Sequence, residues 1–346
     1  MQAPPTPGRR TLIVRDNKYA VSASGMRNTG SICWFISILQ ALLSLTAFNR
    51  WILEHEQFIT ANKIERKETG LVKTLANLIR AMQSEGPSSA TAREGPASII
   101  EQMKKMDEIN TNDFNLKSLQ QQCAHEGCTK FIEIFGLTHL EDIFRQSFCS
   151  RTYCPVCRDF VVQKDFKTLY ASMYMPIRPP TNNEETKLAT TAFLKQLGAR
   201  VCPVDEYNCE ICGVFSKDNT AKQSDTLVLA REIITVAFIR QYIVKSHNWF
   251  PQTLYIPHGR NVKIVDKDGN ERLEMKKYGT YVYKVVAQVE HSGGAESGHY
   301  WAICKRADGK VYRLNDSSAT PTNTFTPSPN TVMIFYELSE YIPEKN

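Results

Sequence analysis

The stretch from residue 25 to residue 40 reads GMRNTGSICWFISILQ and places a thiol between a small polar turn and an apolar run. The density of apolar residues predicts a buried helix over about 33–53, with a break near Thr46. Cys33 is then the first residue of that helix. The free N–H groups and the helix dipole at this end favour an anion, so we expect a lowered thiol pKa and a place for an oxyanion. The alternative is an inert thiol in the core.

Composition and charge limit the class of protein. The chain has 346 residues, of which 42% are hydrophobic, which is enough for one elaborated domain or for two. The net charge of +6 comes from scattered basic residues, so we do not expect nucleic-acid binding. No apolar stretch reaches the roughly 18 residues of a membrane span, and the N-terminal sequence lacks a signal-peptide core. We therefore expect no membrane partner and a location in the cytoplasm, the nucleus or both.

The spacing of apolar residues divides the chain into a helical part and a later β-rich part. Residues 1–21 are expected to form a flexible or loosely docked arm, and the Pro- and Gly-flanked segment 86–96 a loop. Further helices are predicted over 70–83, 97–106 and 116–135, and strands over 160–166, 226–230, 233–239, 281–291, 299–306, 311–316 and 331–338. The sequence thus predicts an α+β fold, with a helical lobe followed by an antiparallel β lobe.

Two pairs of cysteines share the C-x2-C spacing of metal-binding knuckles. The pairs are Cys154 with Cys157 and Cys209 with Cys212. Two such pairs complete a closed tetrahedral site of four sulfurs, which predicts one structural zinc ion between the tips of two hairpins. Four unrelated reduced cysteines are the alternative. A redox pair is disfavoured because neither pair precedes a helix in a βαβ setting.

A second set of polar residues lies in SGHYWAICKRADGKVYRLNDSS, residues 297–318. His299 opens one strand, and Asn315 and Asp316 end the returning strand. If residues 307–309 form a three-residue loop with a left-handed glycine, Asn315 is the diagonal neighbour of His299 on the same face, whereas a two-residue turn puts Asp316 there. Either register supplies the base and the orienting group that a cysteine nucleophile requires.

Several motifs together resemble the ubiquitin-specific protease family. The stretch at 25–40 resembles its cysteine box, SGHYWAICK with VYRLNDS resembles its histidine box, and QQCAHEG at 121–127 resembles a third motif. CPVC and CEIC are similar to the zinc ribbon that many members carry, and TVMIFYEL is similar to the closing strand. The resemblance covers residues 22–338 in the right order, and it favours a reactive Cys33 over an inert one.

This resemblance implies a papain-like cysteine protease with a helical thumb, zinc-ribbon fingers and an antiparallel β palm. The implied boundaries are about 22–145 for the thumb, 146–230 for the fingers and 231–338 for the palm, with a tail at 339–346. The expected activity is hydrolysis of the isopeptide bond after the C-terminal glycine of ubiquitin, on substrate proteins or on chains. We expect a monomer whose partners are ubiquitin or ubiquitinated proteins.

The resemblance also implies a role for each residue of the catalytic set. Cys33 is the expected nucleophile and His299 the general base. Asn315 matches the usual third member, Asp316 stands beside it as helper or substitute, and Asn28 matches the residue that donates to the oxyanion.

The third motif departs from the family pattern. The resemblance implies four substrate-binding residues: Gln122, Cys123, Glu126 and His291. Cys123 replaces an acidic residue that contacts the basic tail of ubiquitin, and a thiol cannot accept a charge-assisted bond worth about 1.5–3 kcal/mol when buried. Four readings remain open: weaker binding compensated elsewhere, another ubiquitin-like modifier, a chain preference, and a catalytically weak ubiquitin-binding scaffold. Glu126 can also be an ordinary exposed helix residue, and His291 a gate or a solvated side chain.

Overall fold

The computed structural model describes residues 16–86, 89–106, 122–135, 140–173, 177–204, 207–216, 221–229, 231–239, 248–265, 271–294 and 298–344. Most of the predicted arm and the first part of the helix predicted over 116–135 lie outside these residues. The described end of the arm is docked, because Val21 is buried and its carbonyl accepts a hydrogen bond of 3.0 Å from the N–H of Ala307.

The first lobe consists of helices. These are α1 (Cys33–Leu42), α2 (Thr46–Ala61), α3 (Thr69–Ser84), α4 (Ala90–Met103), α5 (Ala124–Glu133) and α6 (Glu141–Phe144). The predicted helix over 33–53 is therefore two helices, and the break near Thr46 is confirmed. Within the described part of the chain no single helix is long and apolar enough to cross a membrane, and only the pair α1 and α2, bent by 87°, meets that test together.

Helix α4 corrects the prediction of a loop over 86–96. The helix begins at Ala90 although Pro96 lies inside it. Its first turn is capped by Ser89, whose Oγ accepts a hydrogen bond of 3.0 Å from the N–H of Ala92. Burial of one face of α4 outweighs the hydrogen bond that a proline cannot donate. Composition alone misplaced this helix because Pro and Gly are usual in loops.

The second part of the chain consists mainly of strands. These are β1 (Gln146–Cys154), β2 (Asp159–Thr168), β3 (Ala171–Met173), β4 (Ala199–Val204), β5 (Tyr207–Asn208), β6 (Phe215–Ser216), β7 (Ala221–Leu229), β8 (Ile233–Phe238), β9 (Thr253–Val265), β10 (Glu271–Gly293), β11 (Gly298–Lys305), β12 (Val311–Asn315), β13 (Ser318–Thr322) and β14 (Thr331–Pro343). The large sheet has the order β13-β12-β11-β10-β14-β8-β3, and β9 pairs with β10. A four-stranded sheet has the order β2-β1-β7-β4, and β5 pairs with β6.

The large sheet separates two hydrophobic cores, and the alternation of side chains along β14 explains how. Met333 and Phe335 lie in the core that the sheet shares with the helical lobe. Ile334 and Tyr336, which point to the opposite face, lie in the second core. A strand buried on both faces must be apolar at nearly every position, and TVMIFYEL has that composition. This sheet is the rigid support for the residues described below.

A long helix and a long strand are among the elements that were not predicted from the sequence. Helix α7 (Asn183–Gly198) packs on the sheets through Ala189, Phe193 and Leu197, whose spacing of four residues was a usable signal. Strand β9 contains Pro257 and Gly259, residues that weaken a strand prediction but are tolerated at a sheet edge. Strand β14 also continues to Pro343 and so includes most of the predicted tail.

Candidate functional site

The hairpin of β11 and β12 brings a histidine and an asparagine side by side. Its register pairs Ala302 with Leu314 and Lys305 with Val311, which confirms the three-residue loop between the strands. Gly309 in that loop has φ 80°, the left-handed conformation that this turn requires. Continuing the register by one pair puts Asn315 opposite Trp301, on the same face as His299.

The His299 imidazole is held by Asn315. Its Nε2 lies 2.6 Å from the Oδ1 of Asn315, whereas the nearest carboxylate oxygen of Asp316 is 4.0 Å away. An amide oxygen only accepts hydrogen bonds, so the proton of the neutral imidazole is on Nε2 and the lone pair is on Nδ1. Of the two orienting groups that the sequence left open, Asn315 makes the hydrogen bond.

Asp316 instead connects the hairpin to the polar turn before Cys33. Its φ of 48° turns the backbone away from β12. One carboxylate oxygen accepts a hydrogen bond of 3.2 Å from the Nδ2 of Asn28, and its carbonyl accepts one of 2.8 Å from the N–H of Met26. Beside it, a Cβ on Gly25 would lie 2.1 Å from the carbonyl oxygen of Ser317, so only glycine allows this approach. Residues about 290 positions apart are thereby joined.

Asn28 is positioned by two hydrogen bonds. Its Oδ1 accepts a bond of 3.2 Å from the N–H of Gly30, and its Nδ2 donates to Asp316. The amide nitrogen carries two hydrogens, so one remains for another acceptor. A donor to an oxyanion, the role expected for Asn28, requires such a hydrogen.

Cys33 is the first residue of α1, as predicted, and it is buried. The pKa of its thiol is raised by burial, and the charge of Asp316 adds to the effect. The backbone N–H of Tyr300 opposes this rise, as do the N–H groups of Trp34 and Cys33 itself. The sequence predicts a lowered pKa for this thiol, and that prediction is wrong. Burial removes water that would stabilise the thiolate, and this effect exceeds the stabilisation that the helix N-terminus contributes.

Tyr300 was not singled out in the sequence although it follows His299 directly. Its backbone N–H stabilises the Cys33 thiolate, and its ring lies 4.2 Å from the ring of His291. His291 is buried and pairs with Tyr300 across β10 and β11. The reading of His291 as a solvated side chain is therefore wrong, because the ring is packed against the strand that carries His299.

The other predicted substrate-binding residues lie together at the start of α5. Gln122 is partly buried and Glu126 is exposed. Cys123 precedes the first helical residue, and its Sγ lies 2.9 Å from the Nδ1 of His125. Burial raises the pKa of the Cys123 thiol and lowers the pKa of His125. The pair is therefore a neutral thiol beside a neutral imidazole.

Gly127, the last residue of QQCAHEG, packs against Trp34, the residue that follows Cys33. A Cβ on Gly127 would lie 2.5 Å from Cζ3 of the buried Trp34 indole. The indole thus occupies the space that an apolar side chain at position 127 would fill. Because α1 carries both Cys33 and Trp34, this contact also fixes how α5 packs against the helix that begins at the thiol.

We expect Gly127→Ala to destabilise the protein although alanine favours helices. Overpacking costs about 1–3 kcal/mol, which exceeds the roughly 1 kcal/mol gained in helix propensity. Chemical denaturation measures the change. Gly70→Ala in α3 is the matched control, because its Cβ meets only the movable end of Gln102. Stability equal to or above that of the wild type would contradict the packing described, and Trp34→Phe in the same chain should reduce the loss.

The four cysteines of the two C-x2-C pairs converge as predicted. Each Sγ lies within 4.8 Å of the other three. The Sγ atoms of Cys154 and Cys212 are 3.8 Å apart, and those of Cys157 and Cys209 are 3.7 Å apart. A tetrahedral zinc ion with Zn–S bonds of about 2.3 Å separates its sulfurs by about 3.8 Å, so the residues fit one structural zinc ion. The knuckles lie at the β1–β2 turn and the β5–β6 turn.

Removal of zinc is expected to loosen the four-stranded sheet while leaving α1 protected. The tips of these hairpins have little core of their own, so the metal supplies folding free energy there. Hydrogen exchange over 146–229, with and without a strong chelator, measures the effect, and α1 to α3 are the internal control. Zinc content below about half an equivalent in reduced protein, or unchanged exchange after chelation, would contradict a structural metal.

The chain is similar to known proteins of one family. Residues 24–336 match the family model described as "Ubiquitin carboxyl-terminal hydrolase". Human "Ubiquitin carboxyl-terminal hydrolase 17-like protein 15" is 21% identical over 336 residues, which cover 95% of this chain and 56% of that protein. Human 17-like protein 6 is also 21% identical, over 342 residues that cover 95% of this chain and 77% of that protein. The chain thus spans only a little over half the length of the first of these relatives.

Two solved structures have the same fold. One is the "SAGA Ubp8/Sgf11/Sus1/Sgf73 DUB module bound to ubiquitin aldehyde", with a TM-score of 0.66 and 19% identity, covering 97% of this chain and 72% of that one. The other is that module bound to monoubiquitin, with a TM-score of 0.63 and 20% identity, covering 97% and 71%. They confirm the predicted papain-like α+β fold. The match over nearly the whole chain, with the cysteine and histidine boxes brought together, shows that this protein belongs to the ubiquitin carboxyl-terminal hydrolase family.

Proposed function

We propose that this chain is a thiol-dependent hydrolase that cleaves the isopeptide bond after the C-terminal glycine of ubiquitin. The observation that supports it most is the 2.6 Å hydrogen bond from His299 to Asn315, in a strand whose next residue directs its N–H to the Cys33 sulfur. Family membership supports the same reaction, and the solved neighbours are described as bound to ubiquitin aldehyde and to monoubiquitin.

The proposed reaction begins with proton transfer. The Nδ1 of His299 takes the Cys33 proton, and the sulfur attacks the carbonyl carbon of the glycine. The negative oxygen is stabilised by the free N–H of Asn28 and by N–H groups at the start of α1. The C–N bond breaks as the imidazolium protonates the leaving lysine amine, which leaves a thioester. Water, deprotonated by His299, then opens the thioester and releases the ubiquitin carboxylate and the thiol.

In this proposal the division into thumb, fingers and palm follows the boundaries expected from the sequence. Helices α1 to α6 precede residue 145, the four-stranded sheet contains the metal knuckles, and the large sheet carries His299. Ubiquitin or ubiquitinated proteins are the proposed partners of a monomer. A cysteine nucleophile and a thiolate metal site both suit the reducing cytoplasm or nucleus, which we propose as the location.

One experiment tests the reaction and its alternatives. The wild-type chain and Cys33→Ala are incubated with ubiquitin that carries an electrophilic C-terminus, and the covalent adduct is measured by mass. The expected result is an adduct with the wild type and with Cys128→Ala, a control that removes a buried thiol of α5, but not with Cys33→Ala. Bound ubiquitin without an adduct in any variant would favour a scaffold. An adduct formed only with another ubiquitin-like modifier would show that this modifier, and not ubiquitin, is the substrate.

A further inference from the structure

A second cluster of metal-binding groups lies at the start of α5, apart from the four-cysteine site. Cys123, His125 and Glu126 each place one donor atom within 4.8 Å of the other two. The Sγ of Cys123 is 2.9 Å from Nδ1 of His125, and Oε1 of Glu126 is 4.0 Å from Nε2 of the same ring. Among the described residues, this cluster and the four cysteines are the two groups of this kind.

We propose that Cys123, His125 and Glu126 bind a divalent cation of the zinc class, with a water molecule in the fourth position. Thiolate, imidazole and carboxylate are the three ligand types that Zn²⁺ takes, and three protein ligands are characteristic of open sites. This proposal concerns metal binding alone and does not depend on the activity proposed above.

The present geometry needs only a small change to accept the ion. With Zn–S near 2.3 Å and Zn–N near 2.1 Å, a tetrahedral ion separates its sulfur and nitrogen ligands by about 3.5 Å. The thiol and imidazole are closer than that, at 2.9 Å, because they form a hydrogen bond. Rotation of the two side chains widens the gap, and the exposed Glu126 carboxylate can swing to the same point.

The ligands Cys123, His125 and Glu126 should bind a metal ion more weakly than the four cysteines do. The imidazole of His125 is partly buried, and its Nδ1 lies beside the Cys123 thiol. Its ring is also positioned by an edge contact with Tyr170, at 5.6 Å between centroids. The Cys123 thiol must release its proton to solvent when the metal binds, because only the thiolate is a good ligand. The ion should therefore be removed by mild chelators that leave the four-cysteine ion in place.

The position of the cluster gives it a link to the reactive thiol. The backbone N–H of Gly127 donates a hydrogen bond of 2.9 Å to the carbonyl of Cys123, so both residues belong to the first turn of α5. Gly127 in turn contacts Trp34, which follows Cys33. A metal ion here would sit one helical turn from a packing contact with α1.

The test is a zinc titration of the reduced, metal-free full chain against a chromophoric chelator. We expect the wild type to bind two ions, of which a mild chelator removes one. Cys123→Ala and His125→Ala should bind only the tight ion, with the second weakened by more than about 100-fold, since even outer-shell changes cost about 10- to 100-fold. When cobalt replaces zinc, the absorption spectra of these two variants should lack one sulfur-to-metal charge-transfer component that the wild type shows.

Three variants make the outcome decisive. Cys128→Ala removes a thiol from the same helix and should keep both ions. Cys209→Ser should lose the tight ion and keep the weaker one. Glu126→Gln changes an exposed side chain without a risk to folding and should weaken the second ion by about tenfold or more. One bound ion in the wild type, or a second ion unchanged in Cys123→Ala, would overturn the proposal.

Discussion

The His299→Ala variant is expected to lose nearly all turnover of a ubiquitin isopeptide substrate. Loss of one member of a catalytic triad typically lowers kcat by about 10⁴- to 10⁶-fold. The effect should be large here because burial raises the pKa of the Cys33 thiol above its ordinary value of 9.0. Without an imidazole, little of the thiol is ionised at pH 7, and no group protonates the leaving amine.

The pH dependence of Cys33 alkylation separates this role from a structural one. In His299→Ala, iodoacetamide labelling should be slow at pH 7 and should rise steeply with pH, because a raised thiol pKa puts the thiolate at alkaline pH. The wild type should label faster at pH 7, since the imidazole takes the proton. His55→Gln on α2 is the control histidine, and it should behave as the wild type. Retention of more than about a tenth of the activity in His299→Ala would contradict the assignment.

The second large effect is expected from Asn315→Ala, which should lower kcat by about 10²- to 10⁴-fold. The amide oxygen fixes the tautomer that leaves Nδ1 free, and alanine removes that acceptor. Asn315→Asp should restore much of the activity because it keeps an acceptor in place. Steady-state kinetics on a fluorogenic ubiquitin substrate measures both variants.

Asp316→Ala is the matched comparison for this prediction. Asp316 lies 4.0 Å from the imidazole and accepts a hydrogen bond from Asn28, so its loss should loosen the polar turn. We expect a smaller fall in kcat, of about tenfold, because a charge-assisted bond lost from a position outside the imidazole contact should cost near the lower end of about 1.5–3 kcal/mol. A larger loss in Asp316→Ala than in Asn315→Ala would reverse the roles of the two residues.

Local features explain which elements could be predicted. The helix that starts at Cys33, the C-x2-C knuckles and the strand at 331–338 each depend on residues within one short segment. Helix α7 also had a local signal, in three apolar residues spaced by four, but the three threonines and four charged residues of the same segment obscured the apolar pattern. The first half of helix α4 could not be predicted, because its proline is tolerated only where a buried face and the Ser89 cap compensate.

The sequence by itself predicted the α+β class, the pairing of His299 with Asn315 or Asp316 and the four-sulfur metal site, because motif spacing and side-chain periodicity carry that information. Only the tertiary structure decided between Asn315 and Asp316, since that choice depends on one residue of register in the β11–β12 hairpin. It also decided that Trp34 fills the space beside Gly127 and that the Cys33 thiol has a raised pKa. These outcomes depend on burial and on contacts between distant segments, and neither can be predicted from neighbouring residues in the sequence.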